Sequence, residues 1–157
     1  MERSLRRVFL ITTAIVVLLD QTTKFGLTAW LAPRGSVTVI PGLFDLTYVL
    51  NRGAVFGIFA SLEGPWRAVL LTAVPVIAVG CVLVMAYRTP AHQLRPLIAL
   101  GLVMGGAIGN LVDRVRLGAV VDFFYWHIAD YYWPAFNVAD SAICVGVGLL
   151  VLHMVRT

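Results

Sequence analysis

Four long apolar stretches run along the chain, separated by shorter and more polar segments. They cover about residues 8–30, 66–87, 96–111 and 133–155. Each is close to the roughly 20 residues with which a helix crosses a hydrocarbon core about 30 Å thick. The pattern predicts an all-α membrane protein with four transmembrane helices. We find neither an internal repeat nor a linker, so residues 1–157 are expected to form a single domain.

Two of the intervening segments show strand-like patterns instead. Residues 36–50 alternate between apolar and polar positions, with a Pro41-Gly42 turn inside them, and residues 119–126 form a second strand candidate. These patterns predict a small β-sheet lying on the extracytoplasmic surface of the membrane. The segment His127–Trp133 is expected to form a helical turn at the interface.

Glycine spacing distinguishes the third apolar stretch from the others. Gly101, Gly105 and Gly109 recur every four residues. Small residues at this spacing let two helices approach closely within a membrane. The third helix is therefore expected to pack tightly against its neighbours.

The composition also indicates a membrane protein, and it argues against nucleic-acid binding and a zinc site. Of the 157 residues, 60% are hydrophobic and 13% are charged, which is too much apolar side chain for a soluble domain of this size to bury. The net charge of +4 is modest and no basic run with interleaved aromatics occurs, so nucleic acid is not an expected partner. The three histidines lie far apart, which argues against a zinc site, and no cofactor is expected.

Charge and aromatic residues at the ends of the spans indicate their orientation. Three arginines within residues 3–7 precede the first stretch and favour a cytoplasmic N-terminus. We interpret this stretch as a retained span, because no clear signal-peptide cleavage site follows it. Both termini are then cytoplasmic, and the outer end carries a belt of tryptophans, namely Trp30, Trp66, Trp126 and Trp133.

Polar groups interrupt the apolar stretches near this outer end. Asp20 and Asn110 each lie about 20 Å along a helix from the inner boundary, and Asp140 lies about 10 Å below the outer boundary. All three therefore reach one level, in the outer third of the membrane. A carboxylate at such a depth is costly and indicates a function.

Each polar cluster also has a structural interpretation. Asp20 and Lys24 have the spacing of a helix ion pair. The Asn110–Arg114 cluster suits a polar helix end, and the Asn137–Asp140 pair suits a hydrogen-bonded patch between helices. Asp122 suits an exposed strand position.

A pair of aspartates would give these clusters a chemistry. If Asp122 overhangs Asp140, the two carboxyl groups cannot both ionise and must share one proton. One can then take a proton from an attacking water while the other protonates a carbonyl oxygen. This chemistry needs neither a nucleophilic side chain nor a metal ion.

The residues alone leave two other functions open. Asp20, Lys24 and Asp140 also suit a proton-coupled transporter or channel component, although the polar layer stops at the outer third. A metal-dependent lipid hydrolase or transferase could hold Mg²⁺ with Asp113, Asp122 and Asp140, although no dense carboxylate motif is present.

Five motifs, in series along nearly the whole chain, resemble the bacterial signal peptidase II family, the lipoprotein signal peptidases. They are Asp20-Gln21-Thr22-Thr23-Lys24, Asn51-Arg52-Gly53-Ala54-Val55-Phe56-Gly57, Gly109-Asn110-Leu111-Val112-Asp113-Arg114, Val120-Val121-Asp122-Phe123 and Phe136-Asn137-Val138-Ala139-Asp140-Ser141. The first is a weak signal alone, whereas the last three together are specific. The second departs from the family pattern at Val55, where alanine is usual, and Arg52 adds a charge.

The resemblance implies an aspartic endopeptidase of the bacterial cytoplasmic membrane. Such enzymes cut the signal peptide from prolipoproteins just before a cysteine that carries diacylglycerol. The family fold has four helices, a small outer sheet called the cradle, and an interfacial helix, here expected within residues 56–66. The implied partners are the diacylglyceryl prolipoprotein, membrane lipid and the inhibitor globomycin, and one chain is expected to suffice.

The resemblance also assigns residues by motif position. Asp122 and Asp140 match the catalytic aspartates. The positions that line or support the site are matched by Asp20, Lys24, Asn51, Gly53, Asn110, Asp113, Arg114, Asn137 and Ala139.

Overall fold

Four α-helices and a four-stranded antiparallel sheet form the part of the chain that the computed structural model describes, residues 2–53 and 65–156. The helices are α1 (Glu2–Leu31), α2 (Pro65–Arg88), α3 (Leu94–Leu117) and α4 (Val138–Arg156). The strands are β1 (Ser36–Ile40), β2 (Phe44–Asn51), β3 (Val120–Ile128) and β4 (Tyr131–Tyr132), and they pair in chain order. All four helices have the length and composition of membrane spans.

Helix α3 is the centre of the bundle. It packs against each of the three other helices, and 61% of its span is buried, compared with about 20% for the others. The far end of the bundle from the sheet has an apolar core in which Leu97 and Leu100 meet Phe9 of α1 and Val82 and Ala86 of α2. The outward faces of α1, α2 and α4 stay apolar and exposed, as a surface in contact with lipid requires.

The glycines of α3 allow α1 to approach closely, which confirms the prediction from their spacing. A Cβ on Gly105 would lie 2.5 Å from Val16 Cβ, and one on Gly101 would lie 2.8 Å from Thr12 Cβ. Real side chains do not approach so closely, so only glycine fits at these positions. The same contact continues to Gly109, where a Cβ would lie 2.5 Å from Asp20 Oδ2.

Helix α1 begins at Glu2, before the predicted residue 8, and one end each of α3 and α4 also differs from the sequence prediction. Helix α3 continues past residue 111 to Leu117, because its polar residues face the interior of the protein instead of ending the helix. Gly118, with φ of 65°, then closes it by donating its N–H to Arg114 O at 3.0 Å. Helix α4 begins at Val138 instead of residue 133, after an extended segment in which Phe136 pairs with Phe124.

The sheet confirms both predicted strand segments, and it contains a further hairpin, formed by β3 and β4, that the sequence did not predict. Residues 36–50 form β1 and β2 around a turn at Gly42, which has φ of 74°. The helical turn expected over His127–Trp133 is wrong: His127 and Ile128 extend β3 and pair with β4 through a turn that contains Ala129, with φ of 50°. The interfacial helix expected within residues 56–66 falls largely outside the described residues.

The tryptophans gather at the end of the bundle that carries the sheet. Trp30 lies at the end of α1 just before β1, and Trp126 is in β3. Trp66 opens α2, whose other end packs into the far core. Their side chains and that of Trp133 are 41–71% exposed, so this end presents an aromatic rim.

Candidate active site

Asp122 lies on β3 and is 2% exposed. Its Oδ1 accepts a hydrogen bond from Asn137 Nδ2 at 2.7 Å, and its Oδ2 accepts one from Asn51 Nδ2 at 3.0 Å. The strand register explains the second bond, because Asn51 of β2 stands opposite Val120, two residues from the aspartate. The sheet thus supplies one aspartate together with a donor for it.

Asp140 lies in the first turn of α4 and is partly exposed. Asn110 Nδ2 of α3 donates to its Oδ1 at 2.8 Å. At the helix start, the Asp140 N–H donates to Asn137 Oδ1 at 2.9 Å while the Asn137 N–H donates to Asp140 Oδ2 at 3.2 Å. This reciprocal pair is a capping box, so the same contacts begin the helix and orient the aspartate.

Asn137 joins the two aspartates. It is fully buried, and its side-chain amide contacts Asp122 while its backbone N–H contacts Asp140. The same amide nitrogen also lies 3.1 Å from both Asn110 Oδ1 and Val121 O. Each of the four carboxylate oxygens therefore accepts one N–H, and each keeps a second lone pair for a proton or a water molecule.

Electrostatics favour a protonated Asp122. Burial, and then the negative charge of Asp140, raise the pKa of Asp122 to about 7, against the opposing effects of hydrogen bonds from Asn51 and Asn137 and the charge of Lys24. Near neutral pH the Asp122 carboxyl thus keeps a proton that an exposed aspartate would have lost. Burial is the larger cause of this shift, and the charge of Asp140 adds to it.

Behind this pair lies a buried ion cluster. Lys24 Nζ is 2.8 Å from Asp20 Oδ2 and 2.8 Å from Asp113 Oδ2, and it donates to Asn110 Oδ1 at 3.0 Å. None of the three charged side chains is more than 4% exposed. The two carboxylates outnumber the ammonium, and backbone and amide N–H groups satisfy the excess.

Those additional donors connect the cluster to the site. The Ala139 N–H donates to Asp20 Oδ1 at 3.0 Å, and the Val121 N–H donates to Asp113 Oδ2 at 3.1 Å. Gln21 Nε2 lies within 3.2 Å of both carboxylates. The sequence did not assign Gln21 a role, although an amide beside Asp20 in an apolar span was a signal that could have indicated one.

Arg114 links α3 to the end of β2. Its Nη2 donates to Gly53 O at 3.0 Å, and the Gly53 N–H donates to Asn51 Oδ1 at 2.9 Å. Its Nε and Nη1 are buried and have no hydrogen-bond acceptor among the described residues. Val55, the departure from the family motif, lies outside the described residues.

Every site residue predicted from the sequence lies in this one network, although the helix that carries Asp140 starts later than predicted. We expected Asp140 about two turns inside the fourth span, whereas it lies in the first turn of a later-starting helix. It still reaches Asn110, because α3 extends further than predicted and carries Asn110 within contact distance of the start of α4.

Comparisons with known proteins agree on one family. The family model described as signal peptidase II matches residues 12–156. The lipoprotein signal peptidase of Syntrophus aciditrophicus is 45% identical over 148 residues, which are 94% of this chain and 92% of that protein. The lipoprotein signal peptidase of Syntrophotalea carbinolica is 48% identical over 150 residues, which are 96% of this chain and 92% of that protein.

Two solved structures share the fold. Both are described as bacterial membrane enzymes solved by the in meso method, one at 2.3 Å and one at 1.9 Å resolution. The first has a TM-score of 0.80 and 30% identity and covers 94% of this chain and 87% of its own. The second has a TM-score of 0.77 and 31% identity and covers 93% of this chain and 91% of its own.

Proposed function

The chain belongs to the signal peptidase II family, membrane peptidases that remove signal peptides from prolipoproteins, and we propose that it works as an aspartic endopeptidase with Asp122 and Asp140 as its catalytic pair. The observation that carries this proposal is the junction at Asn137, which bonds both aspartates at once. The cut falls just before the cysteine that bears diacylglycerol.

The pair catalyses attack by water. One carboxylate takes a proton from the water molecule as its oxygen bonds to the scissile carbonyl carbon, and the protonated partner gives its proton to the carbonyl oxygen. The tetrahedral intermediate then collapses: the carbon–nitrogen bond breaks, the leaving nitrogen receives a proton and the carbonyl re-forms as part of a carboxyl group. The raised pKa of Asp122 supports this exchange near neutral pH.

Substrate reaches the pair from the side of α4. Asp140 and Asn110 are partly exposed, whereas Asp122 and Asn137 are buried, so the open side of the site lies at the start of that helix. Asn110 and Arg114 hold the substrate beside the pair. The buried Nε and Nη1 groups of Arg114, which lack acceptors among the described residues, suit a substrate carbonyl or the ester oxygens of the lipid.

The location of the site suits a substrate embedded in lipid. The aromatic rim and the sheet lie at the same end of the helices as the aspartates. This end faces the outer leaflet of the bacterial cytoplasmic membrane, where the lipidated cysteine emerges, and both termini face the cytoplasm. A single chain supplies both aspartates, and globomycin competes with the substrate for the site.

Conservative substitutions test the proposal. Asp122→Asn and Asp140→Asn each keep the shape of the side chain but remove the ability to share a proton, so each should abolish cleavage of a lipidated prolipoprotein in reconstituted vesicles. Asp130→Asn, at an exposed site in the β3–β4 turn, is the matched control and should cleave normally. Cleavage at the wild-type rate by either of the first two variants would disprove the assignment.

A further inference from the structure

Two carboxylates behind the site each hold the backbone immediately before one catalytic aspartate. Asp20 of α1 accepts the N–H of Ala139, the residue that precedes the aspartate of α4. Asp113 of α3 accepts the N–H of Val121, the residue that precedes the aspartate of β3. The two catalytic side chains come from different elements, yet each is anchored by the same kind of contact.

One ammonium and one amide tie these two carboxylates together. Lys24 Nζ lies 2.8 Å from an oxygen of each. Gln21 Nε2 lies 3.1 Å from Asp20 Oδ2 and 3.2 Å from Asp113 Oδ1, and it also donates to Gly109 O at 3.1 Å. A continuous path of short polar contacts thus runs from Ala139 through α1 and α3 to Val121.

The path has little freedom to stretch. Asp20 is fully buried, and Gly109 packs so closely against its carboxylate that a Cβ there would lie 2.5 Å from Oδ2. Lys24 and Asp113 are each 3% exposed. Buried charges in contact need short, well-directed bonds to offset their desolvation, so a change in their spacing is unfavourable.

We propose that Lys24 and Gln21 are positioning residues that set the separation of the two catalytic aspartates by holding Asp20 and Asp113 at a fixed distance. This inference rests on the proposed function. Two carboxyl groups share a proton only while they stay close, and a misplacement of about 1 Å at a reacting group can lower a rate about 100-fold. The four residues would be needed for the geometry of the pair without contacting the substrate.

Gln21→Met is the sharpest variant, because methionine has a similar length and loses the hydrogen bonds to both carboxylates and to Gly109. We expect kcat to fall about ten- to hundredfold with KM unchanged. Thr22→Val is the matched control on the same turn of α1, since Thr22 is exposed and, among the described residues, bonds only carbonyls of its own helix. It should keep the wild-type kcat.

The pH profile separates positioning from a general loss of folded enzyme. If the aspartates move apart, their repulsion weakens and the pair releases its shared proton more readily. Activity should fall at high pH, where the pair loses the shared proton, and this fall should begin at a lower pH in Gln21→Met than in the wild type. A merely structural role would reduce activity by the same factor at every pH.

Asp113→Asn is a second variant, which tests the positioning role if Gln21→Met does not fold. It keeps the shape and an acceptor for Val121 but loses the charge that holds Lys24, so kcat and the pH profile should change in the same direction. Asp45→Asn is its control: Asp45 pairs with His127 on the sheet at 3.1 Å, away from the cluster. A folded variant with wild-type kcat and an unchanged profile would overturn the inference.

Other outcomes are also informative. Loss of the fold in both variants would count against positioning, because the cluster would then be a requirement for folding. If the wild-type protein itself cleaves no lipidated prolipoprotein, the proposed function fails, whereas normal wild-type cleavage with unaffected Gln21→Met removes only the positioning role.

Discussion

Asn137 shows how one residue can have two functions in this protein. Its side-chain oxygen and backbone N–H form the capping box of α4, and its side-chain nitrogen reaches Asp122. The same polar groups that begin the helix therefore bring the two aspartates together. The Asn137 side-chain amide can be fully buried at this junction of a strand and a helix because both its oxygen and its nitrogen are hydrogen-bonded.

The raised pKa of Asp122 makes stability depend on pH. The folded state holds this proton up to a pH of about 7, whereas an unfolded aspartate releases it near 3.8. Between these values the folded state binds more protons, so the free energy of unfolding should decrease as the pH rises from about 4 to about 7. The stabilisation is complete below this window and lost above it.

Thermal unfolding of the purified protein in detergent, followed from pH 5 to pH 8, measures this effect. Asp122→Asn removes the titrating group, so its Tm should fall less than that of the wild type over the range. Asp130→Asn, which removes an exposed carboxyl, should follow the wild-type curve. Parallel curves for the wild type and Asp122→Asn would show that Asp122 does not titrate in this window.

At the level of elements, the contact between α1 and α3 fixes the position of the site. The contact runs along Gly101, Gly105 and Gly109, and the last of these lies against Asp20 of the ion cluster. Helix packing and site geometry therefore meet at the same surface. A change that separates the two helices should weaken the fold and the candidate site together.

Gly105→Ala tests this contact. Its methyl group would lie 2.5 Å from Val16 Cβ, so we expect a loss of about 1–3 kcal/mol in stability from overpacking and a lower cleavage rate. Gly148→Ala is the control on α4, because a Cβ there meets no atom within 4 Å. Equal Tm values for the two variants would contradict the tight contact.

Sequence patterns were informative about elements and less so about their ends. The helix-forming stretches follow from the length of their apolar runs, and the β1–β2 segment follows from its alternation of apolar and polar positions. The start of α4 was missed because Trp133–Phe136 are apolar enough to extend the span, although the Asn137-to-Asp140 spacing of a capping box was present. The β3–β4 hairpin was missed because Ala129, the residue with positive φ, carries no sequence signal for such a turn.

Most residues of the candidate site could be predicted from the sequence, but their hydrogen-bond partners could not. Motif positions identified the charged residues and asparagines of the network but not Gln21, and polar groups in apolar spans are few and conspicuous. The bonds from Asp20 to Ala139 and from Asp113 to Val121 join residues far apart in the chain through backbone N–H groups, which every residue but proline has. No pattern of side chains could indicate which N–H groups these carboxylates would find.

At the scale of the whole molecule, the protein places a hydrophilic site at one end of an apolar bundle. The far end has an apolar core, and polar contacts concentrate beside the sheet. We expect the sheet to lie on the outer side of the membrane, so that the site meets the substrate where its lipid is anchored.

Cysteine labelling tests this orientation. In a background with Cys81→Ala and Cys144→Ala, which removes both native thiols, Ser36→Cys at the start of β1 should react with a membrane-impermeant maleimide added to intact spheroplasts. Arg88→Cys, at the far end of α2, should react only after the membrane is permeabilised. The reverse pattern would place the sheet in the cytoplasm.

An infrared titration of the carboxyl groups in the purified protein tests most directly whether Asp122 and Asp140 share a proton. A protonated carboxyl band that persists up to a pH of about 7 is expected for the wild type and should vanish in Asp122→Asn. Burial still raises the pKa of Asp122 in Asp140→Asn, but the added repulsion from Asp140 is removed, so the band should titrate at a lower pH than in the wild type. An Asp122 band with the same midpoint with and without Asp140, or none at pH 6, would show that the two aspartates do not share a proton.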